Sequence, residues 1–212
     1  MPKIYRVKKA QRNQGQCGNF SCSAVIEKGD PYIWWQFAYS TKSKRCISCH
    51  PKPSEMTNSE FYASVLSTQE ALDAELEQND GIESIIAAYC IAAESMTQIG
   101  EETYDKQSSL EEHFPGGSPT LTLLEERVEW CNDVSAELEG ASSECCDSIE
   151  DCEDCEGTGE ISVDSEGEAT VQQPAGKKTC QDCDGSGKEE ETEAKIEEAL
   201  DHGMGIDWGG MA

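Results

Sequence analysis

The sequence predicts a small, modular α+β protein in which bound metal, rather than one large core, organises the modules. Eight of the twelve cysteines form two sets of four with the spacing of zinc ligands. The apolar fraction of 36% lies below the about 45–50% of an ordinary globular chain, and apolar residues recur at helical spacing between the two sets. The eight candidate zinc ligands are Cys17, Cys22, Cys46, Cys49, Cys152, Cys155, Cys180 and Cys183.

The net charge of −27 is distributed unevenly along the chain. Residues 1–53 carry ten Lys/Arg against two Asp/Glu, residues 54–150 carry two against twenty-three, and residues 151–212 carry four against eighteen. We therefore predict a basic zinc finger (1–53), an acidic helical hairpin (54–150), a second zinc hairpin (151–188), and an acidic helix with a flexible tail (189–212). A polyanion such as nucleic acid would be attracted to the first segment and repelled by the rest.

A β-prone stretch lies between the cysteine pairs of the first set. Side chains alternate to one face over residues 31–39, and residues 41–44 predict a turn that leads into Cys46-Ile-Ser-Cys49. The alternating residues are Ile33, Trp35, Phe37 and Tyr39. A knuckle, a β-hairpin and a second knuckle in this order predict a treble-clef-like finger.

A basic arm precedes this finger, with cationic residues Lys3, Arg6, Lys8, Lys9 and Arg12. Together with Trp34, Trp35 and Tyr39 it is a candidate for clamping phosphates and stacking bases. The alternative is that these aromatic residues form the small core of the finger.

The residues around the first set resemble a known kind of finger. Lys28-Gly-Asp-Pro-Tyr-Ile-Trp-Trp35 lies between the cysteine pairs and Cys49-His-Pro-Lys-Pro-Ser54 follows them. This pattern resembles treble-clef-like fingers of uncharacterised, often viral, proteins. It is faintly similar to the finger of poly(ADP-ribose) polymerases, which binds DNA ends, but that family uses three cysteines and one histidine, which would require His50 in place of a cysteine. The resemblance implies an accessory finger that binds nucleic acid or protein and performs no chemistry.

An acidic helical hairpin is predicted next. Thr57 and Glu60 form a capping box, and apolar residues then recur at helical spacing, which predicts a helix over about 57–107, weakened around Asn79-Asp80-Gly81. Ser118-Pro119 suits the N-cap and first position of a second helix. The apolar stripe of that helix repeats as a short heptad pattern, as in a coiled coil, at Leu121, Leu124, Val128, Cys131, Ser135 and Leu138. Two such helices should pack antiparallel.

The second cysteine set contains an internal repeat. Cys152-Glu-Asp-Cys-Glu-Gly-Thr-Gly159 and Cys180-Gln-Asp-Cys-Asp-Gly-Ser-Gly187 both fit Cys-x-x-Cys-x-Gly-x-Gly, and the stretch between them predicts a short β-hairpin or a flexible loop. The repeat resembles the cysteine-rich zinc domain of DnaJ-type (Hsp40) co-chaperones over residues 152–187. The resemblance implies one DnaJ-like zinc site and binding of unfolded or partner polypeptide. The chain has no His-Pro-Asp motif, so stimulation of Hsp70 is not implied.

Four cysteines lie outside the two sets. We predict that Cys90 and Cys131 are buried free thiols, and that Cys145 and Cys146 lie close enough to the second set to exchange with its ligands. Residues 188–202 predict a third acidic helix that ends at Gly203. The tail after it contains Ile206-Asp207-Trp208, which is either a solvated end or a docking motif.

No phosphate loop and no Ser/His/Asp pattern is present, and four thiolates leave zinc no open position, so we expect two structural Zn²⁺ per chain and no enzyme. The expected function is a non-enzymatic adaptor or regulator that docks on a nucleic-acid-processing machine, with the finger contacting nucleic acid or a protein partner. The alternatives are a chaperone-like polypeptide binder using the DnaJ-like zinc module, and a structural component whose heptads pair with a second copy.

We expect a location inside a cell, in the cytoplasm, or in the host cytoplasm if the protein is viral. The N-terminus lacks the apolar stretch of a secretory signal, and the longest apolar run, residues 85–93, is too short to cross a bilayer. We therefore expect no membrane association. The adaptor role leads us to expect a protein partner. Metal-spaced cysteines in a reducing compartment are thiolate ligands rather than disulfides.

Overall fold

The computed structural model describes residues 2–78, 81–114, 117–147, 160–163, 176–179, 193–204, 206 and 208. These residues form an α+β fold of seven short strands and four α-helices, in agreement with the predicted class. The strands are β1 (Tyr5–Val7), β2 (Gly15–Gln16), β3 (Val25–Ile26), β4 (Tyr32–Trp35), β5 (Ser43–Cys46), β6 (Glu160–Val163) and β7 (Gly176–Thr179). The helices are α1 (Glu60–Glu77), α2 (Ile82–His113), α3 (Pro119–Asp147) and α4 (Glu193–Met204). The chain divides into a finger unit, Met1–Glu70, and a helical unit, Ala71–Ala212.

The finger unit contains a three-stranded antiparallel sheet of order β1-β4-β5, and β2 pairs with β3 separately. One face of the larger sheet is filled by Ile33, Trp35 and Arg45, which are 0%, 4% and 7% exposed. Because side chains alternate along a strand, Tyr5 and Trp34 lie on the opposite face. Strand β1 shows that part of the predicted basic arm is the edge strand of this sheet.

The turn of the β4–β5 hairpin lies earlier than the sequence predicts. Strand β4 ends at Trp35 rather than near residue 39, and β5 already begins at Ser43. Ser40 closes the turn: its backbone N–H donates to the Phe37 carbonyl at 3.2 Å, and its hydroxyl accepts from the Phe37 N–H at 3.1 Å. Tyr39 adopts a left-handed φ of 64° at this turn, so the predicted alternation cannot continue to it.

The segment after the second cysteine pair is tied to the finger by polar contacts. The buried Arg45 guanidinium pairs with Glu55 and donates to the His50 carbonyl at 3.0 Å. Glu70 in α1 accepts 2.8 Å hydrogen bonds from the backbone N–H and the hydroxyl of Ser54. The finger unit therefore extends through the 3₁₀ turn Pro53–Met56 into the first part of α1.

The predicted helix over 57–107 is two helices rather than one, and they meet at the position where the sequence predicted a weakening: α1 ends at Glu77 and α2 begins at Ile82. Helix α1 begins after Ser59, whose hydroxyl accepts the Tyr62 N–H at 3.5 Å, two residues beyond the predicted cap. Helix α2 begins after Gly81, whose φ of 133° and ψ of −178° are accessible to glycine and strained for other residues. A continuous helix cannot pass through that conformation.

Helices α2 and α3 pack antiparallel, as predicted. The Cys90 thiol contacts the Ser142 hydroxyl at 3.1 Å, and the Thr97 hydroxyl contacts the Ser135 hydroxyl at 2.9 Å. Residue numbers therefore increase along α2 in the direction in which they decrease along α3, so the two helices are antiparallel. The Ser118 hydroxyl accepts the Leu121 N–H at 3.2 Å, which confirms the predicted N-cap. In the described part of the chain, no helix is long and apolar enough to span a membrane.

Helix α4 docks on this hairpin through Tyr89 of α2. The fully buried Tyr89 hydroxyl donates to the Ala199 carbonyl at 2.9 Å and accepts the Gly203 N–H at 3.0 Å. A Cβ on Gly203 would lie 2.4 Å from that hydroxyl oxygen, so this close approach requires glycine. Helix α4 continues through Gly203 to Met204, slightly beyond the predicted end, and Ile206 beyond it is buried.

Candidate metal centre and basic aromatic face

The first cysteine set comes together because its two knuckles meet at β5. Gly18 in the first knuckle donates its N–H to the Lys44 carbonyl at 2.9 Å, and a Cβ on Gly18 would approach that oxygen to 2.7 Å. Only glycine allows the first knuckle to lie this close to β5. The second knuckle begins at the last residue of β5, and the Cys49 N–H donates to the Cys46 carbonyl at 3.1 Å.

The ligand atoms of Cys17, Cys22, Cys46 and Cys49 all lie within 4.8 Å of one another. The Cys46 sulfur lies 3.8 Å from the sulfurs of both Cys17 and Cys22. Tetrahedral zinc with Zn–S bonds of about 2.3 Å requires sulfurs about 3.8 Å apart. A disulfide would require about 2.05 Å, and these cysteines are free. The four sulfurs can therefore hold one metal ion.

Hydrogen-bond donors surround the sulfurs, as thiolate ligands require. The Cys46 N–H donates to the Cys17 sulfur at 3.4 Å, and the Asn19 side-chain amide donates to the Cys49 sulfur at 3.5 Å. Burial is the largest single influence on Cys17 and opposes its ionisation, but hydrogen bonds from the backbone N–H groups of Asn19 and Cys46 and from the neighbouring thiols together outweigh it and lower the pKa of this thiol from 9.0 to about 7. Burial and the neighbouring thiols raise the pKa of Cys46 to about 12. A divalent cation would remove this opposition between neighbouring sulfurs.

The other cysteines divide into two groups. Cys152, Cys155, Cys180 and Cys183 lie outside the described residues. Cys131 and Cys145 are fully buried in the helical unit, whereas Cys90 is exposed, contrary to the prediction that it is buried. Cys145 directs its thiol toward the Ala199 carbonyl at 3.7 Å, so it is not presented for exchange with other ligands.

A stack of aromatic rings and ammonium groups lies on the outer face of the three-stranded sheet. The rings of Tyr5 and Trp34 face each other across β1 and β4, with centroids 4.3 Å apart and planes 13° apart. The Lys42 ammonium lies 4.3 Å from the Trp34 centroid, and the Lys3 ammonium lies 5.6 Å from the Tyr5 centroid. Lys44 is opposite Trp34 on β5. We call Lys3, Tyr5, Trp34, Lys42 and Lys44 the cation–aromatic ladder.

The structure separates the aromatic residues that the sequence grouped together. Trp35 belongs to the core, beneath the Arg45 guanidinium at 5.6 Å, whereas Trp34 is half-buried and Tyr39 is fully exposed at the hairpin turn. Tyr5 was missed, because its place beside Trp34 depends on pairing between strands far apart in sequence. The alternation of Ile4, Tyr5, Arg6 and Val7 was the available signal for a strand.

A comparison of the chain with known protein families, with curated proteins and with solved structures found no match.

Proposed function

We propose that this protein is a non-enzymatic, zinc-binding adaptor whose finger unit binds nucleic acid. The observation that carries the proposal is the cation–aromatic ladder. Lys3 and Lys42 lie over rings, Lys44 is the cross-strand partner of Trp34, and among the described residues none of these three lysines has a carboxylate partner. Ammonium groups in this state are available to phosphates at little cost.

Charge supports the same proposal and restricts where binding occurs. Residues 1–53 carry a balance of eight positive charges, while the rest of the chain is strongly acidic. A nucleic acid would be repelled by the helical unit and attracted to the finger. Binding should therefore be local, short-ranged and dependent on a few lysines.

Zinc in this proposal holds the binding face in shape and supplies no reactive position, because four thiolates complete its coordination. Cys46 ends the strand that carries Lys44, and Gly18 of the first knuckle contacts the Lys44 carbonyl. Loss of metal would therefore destabilise β5, the strand that carries Lys44 of the ladder. The metal and the ladder form one functional site.

A second zinc ion bound by Cys152, Cys155, Cys180 and Cys183 is part of the proposal. In support, β6 and β7 pair antiparallel with Glu160 opposite Thr179. The pair Cys152 and Cys155 precedes β6 in sequence, and the pair Cys180 and Cys183 follows β7. Because Glu160 at the start of β6 lies opposite Thr179 at the end of β7, the hairpin brings together the strand ends from which the two pairs continue. This topology suits a DnaJ-like zinc hairpin.

The adaptor role requires a protein partner, and the finger exposes a side chain suited to one. Phe20, between Cys17 and Cys22, is fully exposed at the first knuckle. Of the heptad stripe of α3, Cys131, Ser135 and Leu138 already pack within the helical unit, which favours the finger over this stripe as the partner surface. We therefore place partner contacts on the finger unit.

The test is fluorescence anisotropy with labelled DNA and the full-length, zinc-loaded protein over a range of salt concentrations. The triple variant Lys3→Gln, Lys42→Gln, Lys44→Gln should weaken binding and reduce the slope of log K against log salt by about 2 to 3, because each phosphate contact contributes about 0.7 to 0.9. The matched control is Lys8→Gln, Lys9→Gln, Lys28→Gln, which removes the same charge from exposed positions of the finger outside the ladder. Absence of binding at low salt, or equal losses in the two variants, would overturn the proposal.

A further inference from the structure

The residues of the ladder follow a definite order across the sheet, and within the described part of the chain no carboxylate pairs with its lysines. Because β4 lies between β1 and β5, Tyr5 stacks on Trp34 from β1, the Lys42 ammonium also lies over the Trp34 ring, and Lys44 is the cross-strand partner of Trp34 on β5. Tyr5 is 43% exposed even though its ring is stacked. The opposite face of the sheet is closed by Ile33 and Trp35. The ladder is therefore the face that this sheet offers to a ligand.

The hairpin turn adds a second exposed aromatic ring at the end of the same strands. Tyr39 is fully exposed and holds a left-handed φ of 64°, which is uncommon for a bulky residue. Its turn connects β4, which carries Trp34, to β5, which carries Lys44. Exposed aromatic rings beside unpaired ammonium groups are the combination found in grooves for single strands.

Resting on the proposed function, we propose that the ligand class of the ladder is single-stranded nucleic acid, bound through base stacking as well as phosphate contact. A base stacks on the face of Trp34 that the Lys42 ammonium now covers, and the displaced ammonium moves to an adjacent phosphate. Lys3 and Lys44 contact further phosphates, and Tyr39 offers a second ring for stacking.

Single strands are favoured over duplexes for a steric reason. In a duplex the faces of the bases are stacked on one another, so only phosphates, sugars and groove edges are presented to a protein. A duplex could reach the lysines of the ladder but not the ring of Trp34. A single strand offers both phosphates and base faces, and base–aromatic stacking tolerates any sequence because every base has a flat face.

The experiment compares three probes on the full-length, zinc-loaded protein: oligo-dT of about 12 nucleotides, an abasic oligomer of the same length, and a duplex hairpin. The abasic oligomer keeps the phosphates and removes the bases. We expect oligo-dT to bind about ten-fold or more tightly than the abasic oligomer, and to quench tryptophan fluorescence where the abasic oligomer does not. Trp34→Leu should remove this preference and the quenching, with metal content as the check on folding.

Tyr39→Ser, at a fully exposed position, is the second variant and should weaken oligo-dT more than the abasic oligomer. Equal affinity of the wild-type protein for oligo-dT and the abasic oligomer, or tighter binding of the duplex, would overturn this inference and leave the proposed function standing. Failure to bind any of the three probes would overturn both. The wild-type comparison decides the matter even if a variant fails to fold.

Discussion

Cysteines are clustered in the finger unit and buried singly in the helical unit. In the finger, four cysteines gather, with the Cys46 sulfur 3.8 Å from the sulfurs of Cys17 and Cys22, and the interacting thiols of Cys17 and Cys46 have pKa values shifted in opposite directions, to about 7 and about 12. In the helical unit, Cys131 and Cys145 are buried separately, and burial raises the pKa of each thiol to about 11. The finger cysteines are suited to metal, whereas the helical cysteines act as small apolar side chains.

This difference indicates what holds each unit together. The helical unit buries many apolar residues along α2 and α3, with Tyr89, Met96 and Leu138 among its fully buried side chains. The finger unit buries few, and its strands have two to four residues each. Such short strands with so little core are not stable alone. We therefore expect the finger to depend on a metal ion bound by its four cysteines, and the helical unit to depend on packing.

The largest expected effect follows from removing one metal ligand. Cys46→Ser should abolish metal binding at the first set and unfold the finger, because structural zinc in small modules contributes about 10–16 kcal/mol of apparent binding free energy that is also folding free energy. The helices should persist. Metal content and far-UV circular dichroism measure the two consequences.

Cys90→Ser is the control for this change, since Cys90 is exposed and lies outside the four-cysteine cluster. It should leave metal content and the finger fold unchanged. An equal loss of helix in Cys46→Ser would show that the two units unfold together, and the comparison between them would fail.

A smaller effect is expected where α4 docks on Tyr89. Gly203→Ala places a Cβ within 2.4 Å of the Tyr89 hydroxyl oxygen, so overpacking should cost about 1–3 kcal/mol of the stability of the helical unit. Alanine has a higher helix propensity than glycine, so without the Tyr89 contact the same substitution would increase stability. The sign of the change in stability therefore shows whether the contact is present.

Gly140→Ala in α3 is the matched control, because no atom lies within 4 Å of its added Cβ. It should stabilise the helical unit by about 0.5–1 kcal/mol. Thermal denaturation of both variants provides the comparison. Stabilisation by Gly203→Ala would mean that the Tyr89 contact is not part of the fold.

The smallest effect is an opposite response of the two units to pH. Burial raises the pKa of Cys131 and Cys145 from 9.0 to about 11 and that of Tyr89 from 10.0 to about 12. These groups ionise earlier in the unfolded chain, so their contribution is complete below pH 9 and is lost as pH rises through 11 and 12. The helical unit should weaken in alkali.

The finger should weaken in acid, because protons compete with metal for the thiolates. The contribution of Cys17, whose pKa is lowered from 9.0 to about 7 before metal binds, is complete above pH 9 and is lost as pH falls through 7. Circular dichroism of the helices and metal release, both followed from acid to alkali, should show transitions on opposite sides of neutrality. Metal release in alkali alone would contradict this.

Local signals in the sequence predicted what depends on neighbouring residues. The spacing of Cys17, Cys22, Cys46 and Cys49 predicted a cluster that the structure assembles, and Ser118-Pro119 correctly predicted the start of α3. The periodicity of apolar residues predicted the pairing of α2 with α3, since a helical stripe must be buried against another element. These features require only spacing and side-chain type.

Features that depend on distant parts of the chain were not predictable. Nothing near Tyr5 in sequence indicates that it stacks on Trp34, and Tyr89 contacts α4 more than a hundred residues later. The sequence located the weak point of the first helix at residues 79–81 but not the complete interruption, which depends on the backbone conformation of Gly81. The cation–aromatic ladder could thus be found only from the structure, whereas the four-cysteine cluster could be predicted from the sequence.

The most direct test of the account follows the four tryptophan indole N–H signals by NMR while metal is removed from the full-length protein and restored. Trp34 and Trp35 report on the finger unit, and Trp130 and Trp208 report on the helical unit. We predict that the signals of Trp34 and Trp35 collapse to unfolded positions without metal and return when zinc is restored, while the Trp130 signal stays in place. Folded positions for Trp34 and Trp35 in the metal-free protein would contradict the claim that metal organises the finger.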